Sequence, residues 1–241
     1  MTWENKYNKI SSEYIKTHEK PDKKYSMVPT AVKLAGPLKN KTVVDVGCGA
    51  GLFTFLLAKK AKLVYGIDSS SEQIRKAKNR PTTNVKFILA DMLKFNYPKA
   101  DVINAPFVLG YIKSSKQLKN LFSKLHQSLK RDGKIIGIID APKSTFHDNK
   151  KFGAVKKVKG GLKEGAKIII ELYNNKTKLV TLRAYYHTKK TIEDLLKNSG
   201  FKFIKWHRPV VSKEGMAKKG KKYWKEYLNN LDTAYFTAQK S

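Results

Sequence analysis

The residues in this chain best placed to do chemistry are a run of glycines and two carboxylates. Val43-Val44-Asp45-Val46-Gly47-Cys48-Gly49-Ala50-Gly51 carries an apolar strand into a Gly-x-Gly-x-Gly turn, with Asp45 set before the first glycine. Phe53, Leu56 and Leu57 then recur at helical spacing over residues 52–60. A strand that turns on glycines into a helix presents backbone N–H groups and a helix N-terminus to a ligand. A Cβ at Gly47, Gly49 or Gly51 would hold that ligand away from the backbone. Residues 62–67 read as a second strand ending in Asp68. An acid at that tip, roughly 20 residues beyond the glycines, is placed to accept hydrogen bonds from ribose hydroxyls. Ser69 and Glu72 also form a capping box for the next helix, so Asp68 closes the strand while Ser69 caps the helix.

A generic dinucleotide turn of the Gly-x-Gly-x-x-Gly kind is the plainest alternative. Two details oppose it: the third glycine follows after one residue rather than two, and Asp45 lies inside the strand end. Cys48 is the single cysteine; within the turn it reads as small filler rather than a nucleophile, and it suits a reducing compartment. His126 sits on a helix with Leu118, Leu121, Phe122, Leu125 and Leu129, and reads as a structural edge residue. No metal-ligand cluster and no Ser-His-Asp grouping stands out. Tyr111, Tyr185 and His187 are the candidates for a general base, should the reaction need one.

The elements that must position these groups alternate. Trp3, Tyr7, Ile10 and Tyr14 predict an amphipathic helix over residues 3–17, and a second follows over 26–34. After the glycine unit come a helix over 71–79, strands over 84–89 and 101–105, a helix from Ser114 to Lys130, and a fifth strand over 135–140 preceded by a turn at 131–134. Such alternation means a doubly wound α/β sheet. Between Ala141 and Ala166 the pattern dissolves, which inside a compact domain points to a lid or a disordered loop. A hairpin follows around Asn174-Asn175-Lys176-Thr177, with Val180, Leu182, Ala184 and Tyr186 on one face and Arg183, Tyr185 and His187 on the other. A helix over 191–199, a strand over 201–206, a helix marked by Tyr223, Trp224 and Tyr227, and a final strand over 233–240 complete the chain. The expected organisation is one domain over 1–241, with a helical cap (1–40) and a lid-and-hairpin insertion (141–187).

Composition bounds the partners. Lys+Arg number 50 against 19 Asp+Glu, a net charge of +31, yet arginine occurs only at 75, 80, 131, 183 and 208. The lysines are scattered rather than blocked, whereas base reading and bidentate phosphate contacts favour arginine. A general lysine bias therefore explains the charge at least as well as nucleic-acid binding does. No apolar run approaches the roughly 18 residues of a membrane span, and the first residues lack the apolar stretch of a signal peptide. The expectation is a cytoplasmic protein with no membrane partner.

Asp45-x-Gly47-x-Gly49-x-Gly51 followed by Asp68 resembles the cofactor motif of class I S-adenosylmethionine-dependent methyltransferases. The resemblance implies a Rossmann-like, seven-stranded, mostly parallel sheet and S-adenosylmethionine as cofactor, with S-adenosylhomocysteine as its product and no metal. It implies that the glycines, with Cys48 between them, back onto the methionine part and that Asp45 holds its ammonium. Asp68 would meet the ribose and Asp91 and Met92 the adenine, with Ser69, Asn104 and Ala105 as further cofactor contacts. Tyr14, with Tyr7, would cover the cofactor from the N-terminal helix. Asn104-Ala105 with Tyr111, Trp206-x-x-Pro209, Gly220-x-x-Tyr223-Trp224 and Asn229-Asn230 resemble small-molecule methyltransferases of the toxoflavin-synthesis and phosphonate-methylating kind. They imply methylation on O or N of a metabolite or natural product. Asn104-Ala105-Pro106-Phe107 also looks like the Asn-Pro-Pro-Phe motif of amino-methyltransferases, with Ala105 in place of the first proline. RNA or DNA is therefore the alternative acceptor.

Overall fold

The computed structural model describes residues 5–240. Helix α1 (Tyr7–Lys16) opens the N-terminal cap; Trp3, assigned above to this helix, lies outside the described residues. A 3-10 turn (Thr17–Glu19) and a π-helical turn (Lys23–Met27) lead into α2 (Val28–Ala35), which carries Pro29 in its first turn, where a missing N–H costs no helical bond. Next come β1 (Thr42–Val46), α3 (Leu52–Ala58), β2 (Leu63–Asp68), α4 (Ser71–Lys78), β3 (Val85–Leu89), β4 (Ala100–Pro106), α5 (Ser115–Ser128) and β5 (Leu129–Asp140). The chain then makes β6 (Phe146–Asn149), β7 (Ala154–Lys159), β8 (Lys167–Asn174) and β9 (Thr177–Tyr185), followed by α6 (Lys189–Lys197), β10 (Lys202–His207), α7 (Lys213–Asn229) and β11 (Thr233–Gln239).

Seven strands form one sheet in the order β10-β11-β5-β4-β1-β2-β3. Neighbours from β3 to β5 are parallel, and β11 runs antiparallel between β5 and β10. The central strands are mostly apolar because helices cover both faces, with Asp45 of β1 and Asn104 of β4 as buried exceptions. One core joins α5 and α6 to the sheet through Leu118, Leu121, Phe122, Leu125, Ile192 and Leu196. The other joins α2 and α3 through Val28, Ala31, Phe53 and Leu57 against Val43, Val64, Val102 and Ile136.

The segment read as irregular, residues 141–166, is only partly irregular. It supplies β6 and β7, which extend the expected hairpin of β8 and β9 into a four-stranded antiparallel sheet. The signal was masked because the buried face of β7 reads Ala154-Lys156-Val158, and its central lysine is 2% exposed. A charge in the interior looks, in sequence, like a surface position. The insertion sheet packs Ile168, Ile170, Leu182 and Ala184 against Tyr7, Ile10 and Tyr14 of α1, and against Tyr111.

The turn expected at 131–134 lies inside β5, where the register with β4 shifts and Asp132 takes φ 60°. The long C-terminal helix begins at Lys213, capped by Ser212, and changes direction at Gly220 (φ 75°).

Gly137 on β5 lies opposite Phe236 on β11, and a Cβ there would fall inside the Phe236 ring. Gly137→Ala therefore overpacks the sheet and should lower unfolding free energy by about 1–3 kcal/mol. Denaturant titration should show a lower midpoint at unchanged slope.

Candidate active site

The glycine turn takes the conformation its sequence allows. Gly47, Gly49 and Gly51 have φ of 66°, 54° and 87°, the left-handed region that side chains disfavour. A Cβ at Gly47 would overlap Val108, and one at Gly51 would strike the Phe55 ring. At Gly49 the single atom near a Cβ is Gln73 Oε1 at 3.7 Å, so that backbone borders open space.

Asp68 sits at the tip of the neighbouring strand. Its Oδ2 accepts from Gly49 N–H at 2.9 Å and its Oδ1 from Ser70 N–H at 2.8 Å. The helix cap is Ser70, whose Oγ accepts from Gln73 N–H at 3.3 Å, one residue later than expected. Ser69 is exposed and borders the cavity instead. Asn8 Oδ1 accepts from Ser70 Oγ at 2.7 Å and from Glu72 N–H at 3.2 Å, which docks α1 on the start of α4.

A cavity of about 420 Å³ lies over the carboxyl ends of β1, β2, β3 and β4. This is where strand order reverses, the usual ligand crevice of an open parallel sheet. Tyr14, Gly47, Gly49, Asp68, Ser69, Asp91 and Met92 line it, as do Tyr111 and Tyr185. Cys48, Gly51, Asn104 and Ala105 do not, nor does Asp45.

Asp45 is fully buried beneath the turn. Its Oδ2 accepts from Thr54 Oγ1 at 2.5 Å and its Oδ1 from Asn104 Nδ2 at 2.8 Å. Burial raises its pKa to about 6, against the pull of those two hydrogen bonds. Cys48 is buried, and burial together with the nearby Asp45 and Asp68 pushes its thiol pKa well up, away from nucleophilic use.

His187 stands apart from Tyr111 and Tyr185. Its Nδ1 meets Glu164 Oε1 at 2.5 Å, its Nε2 meets Ile112 O at 2.8 Å, and it borders a separate space with Lys189 and Trp206. The reason is local: β9 ends at Tyr185, so strand alternation does not reach residue 187. Tyr7 and Tyr111 share a hydroxyl–hydroxyl hydrogen bond, and Tyr14 meets Tyr7 edge-on at 5.1 Å. Burial raises the pKa of all three, so they stand as neutral phenols.

Sequence reasoning missed Gln73. It is 1% exposed, lines the cavity, and neither its Nε2 nor its Oε1 has a partner. Its signal was a polar residue at N3, beside Ile74, on the buried side of α4. Phe107 also lines the cavity, with φ 62°, a left-handed conformation costing of order 1–3 kcal/mol away from glycine. The orphaned Gln73 amide, the Cβ-free backbone at Gly49 and the acceptor capacity left on Asp68 fit a cofactor carrying ribose hydroxyls. Among the described residues no group of His, Cys, Asp and Glu is placed to hold a metal ion, and no helix is long and apolar enough to cross a membrane.

The Asp45 carboxyl has a folded-state pKa above its unfolded value of 3.8. Its contribution to stability is therefore complete below pH 4 and is lost as pH rises through about 6. Between pH 4 and 7, wild type should lose a few kcal/mol relative to Asp45→Asn, at about 1.4 kcal/mol per pKa unit. Denaturant unfolding of both proteins across that range checks it.

Residues 37–230 match the family described as a methyltransferase domain, which is the greater part of the chain. Phosphoethanolamine N-methyltransferase 3 of Arabidopsis thaliana is 33% identical over 132 residues, 51% of this chain and 26% of that protein. Ribosomal RNA small subunit methyltransferase A of Mesomycoplasma hyopneumoniae is 35% identical over 96 residues, 37% of this chain and 35% of that one. The chain thus spans about a third or less of the length of these curated relatives. Magnesium protoporphyrin IX methyltransferase from Synechocystis PCC 6803, solved with bound SAH, shares the fold at TM-score 0.58 and 21% identity, over 89% of this chain and 82% of that one. The glycine cradle, the strand-tip acid and the family match together place this chain among the class I S-adenosylmethionine-dependent methyltransferases.

Proposed function

We propose that the protein methylates an oxygen or nitrogen atom of a small metabolite or natural product. The observation that carries this reading is the aromatic wall on one side of the cavity. Tyr7 and Tyr14 of α1, Tyr111 and Tyr185 wall it, and the insertion sheet packs behind them. A free small molecule can lodge directly against such a wall, whereas a nucleobase would first have to be flipped out of its strand, at a cost of a few kcal/mol.

The bound cofactor supplies an electrophilic methyl group on a sulfonium sulfur. The protein's part is to bind, orient and dry the site. Gly47 and Gly49 give close backbone approach, and Asp68 has acceptor capacity left for ribose hydroxyls. Asp91 and Met92 stand at the end of β3, where an adenine would meet a carboxylate and an apolar side chain. Gln73 offers one donor and one acceptor at the cavity wall. The tyrosine rings flank the acceptor side and orient the incoming atom by hydrogen bonding.

Nucleic acid is the second reading. It draws on the net charge of +31, on the match to a ribosomal RNA methyltransferase, and on Phe107 of Asn104-Ala105-Pro106-Phe107, which borders the cavity in a strained conformation.

Calorimetry with S-adenosylhomocysteine tests the cofactor site. Gly49→Val should abolish measurable binding by filling the cradle. Asp68→Ala should weaken it by about 1.5–3 kcal/mol for lost charged hydrogen bonds, and more where the Gly49 turn relaxes. Gln73→Leu should weaken it by about 1 kcal/mol. Unchanged affinity in all three variants places the cofactor elsewhere.

A labelled-methyl assay against RNA, DNA and a metabolite extract at about 0.15 M salt separates the two readings. Label should enter the small-molecule fraction. Site-specific labelling of nucleic acid alone would promote the second reading.

A further inference from the structure

A second, smaller chamber lies beside the cofactor cavity and shares Tyr14, Phe107 and Tyr111 with it. It forms where three parts of the fold meet: the turns between α1 and α2, the rim of β5 and β11, and the insertion sheet. Its volume is about 50 Å³. That is several times the roughly 10–15 Å³ one water molecule requires. Ile170, Leu172 and Leu182 make one wall apolar, yet the lining also includes six charged residues.

The polar inventory decides what the chamber accepts. Lys156 Nζ is saturated by Asp140 Oδ1 at 2.7 Å, Asp232 O at 2.7 Å and Asp232 Oδ1 at 3.3 Å. Lys20 Nζ stands 3.3 Å from Asp22 Oδ2. Lys23 Nζ donates to Thr17 Oγ1 at 2.9 Å and lies 4.8 Å from the centre of the Tyr14 ring. Asp22 Oδ1 and Asp232 Oδ2 have no partner, although their residues are only 3% and 5% exposed. The polar atoms of this lining left with no partner at all are therefore carboxylate oxygens, while Lys20 and Lys23 keep N–H groups beyond the one partner each has. An anionic group would face three carboxylates, find Lys156 fully engaged and leave both orphaned oxygens unpaired, with only Lys20 and Lys23 to meet it; a cationic donor would complete those two oxygens.

Building on the small-molecule reading above, we propose that this chamber is the acceptor pocket and that its ligand is a small amine, held as an ammonium by Asp22 and Asp232. Burial, reinforced by the charge of Lys20, lowers the Lys23 ammonium to about 7. In the fraction of molecules with Lys23 neutral, which grows as pH rises above about 7, two lysines face three aspartates in the lining and the chamber is one cation short. Methylation at nitrogen requires the free lone pair. Lys23 Nζ, beside the Tyr14 wall, accepts the proton that the bound ammonium sheds, becomes an ammonium itself, and returns the proton to solvent afterwards.

The test uses the full chain loaded with S-adenosylhomocysteine and three matched probes: n-butylamine, butyrate and n-butanol. Calorimetry should detect the amine alone. Asp22→Asn and Asp232→Asn should each weaken amine binding about tenfold or more, with affinity for S-adenosylhomocysteine held within twofold as the check on folding. Butyrate binding in place of the amine, or unchanged amine affinity in both variants, overturns the proposal. Methyl transfer to a metabolite extract, separated by charge, should label the cationic fraction. Label confined to neutral or anionic small molecules overturns the amine while leaving the small-molecule reading intact; label confined to nucleic acid removes that reading as well. Lys23→Met should keep amine binding and lose at least tenfold in transfer near pH 8. Transfer at the wild-type rate would remove Lys23 as the proton acceptor.

Discussion

The hydrogen bond from Gly49 N–H to the Asp68 carboxylate is the contact on which the site depends. Together with the Cys48 N–H to Ile67 O bond, it joins the turn after β1 to the tip of β2. The second oxygen of the same side chain holds Ser70 N–H, and so fixes the start of α4. Gln73 and Asn8 inherit their positions from that helix start. A turn of three left-handed glycines is entropically costly to order, and a charge-assisted bond at its middle offsets part of that cost.

Asp45 illustrates a different use of a carboxylate. It stands in the central strand, fully buried, with Thr54 and Asn104 as its partners. These bonds tie β1 to α3 and to β4 across the switch point. Its raised pKa shows that two hydrogen bonds do not compensate fully for desolvation.

The insertion gives the molecule its enclosed side. Lys156 of β7 reaches across to Asp140 at the end of β5 and Asp232 just before β11, so one ammonium joins the small sheet to the large one. Buried ion pairs of this kind are weak contributors to net stability, because desolvation consumes most of the attraction. Their value is registry. They hold β7 to β9 over α1, and α1 in turn carries Tyr7 and Tyr14 to the cavity.

The sequence by itself determined the strand-turn-helix unit at residues 43–58, the acid at 68, the alternation of strands and helices, and the inward face of β9. Each is a local property, set by glycine conformations or by side-chain period, and local properties survive without knowledge of the fold. It misplaced the helix cap by one residue, since Ser69 and Ser70 both satisfy the same local rule. Only the tertiary structure decided that Gln73 faces the cavity, that His187 turns away from Tyr111 and Tyr185, and that residues 146–159 form two strands. In each case the deciding partner lies far along the chain: Ile112 and Glu164 for His187, Asp140 and Asp232 for Lys156. A lysine can enter the interior only where distant carboxylates meet it, and periodicity along one segment carries no record of them.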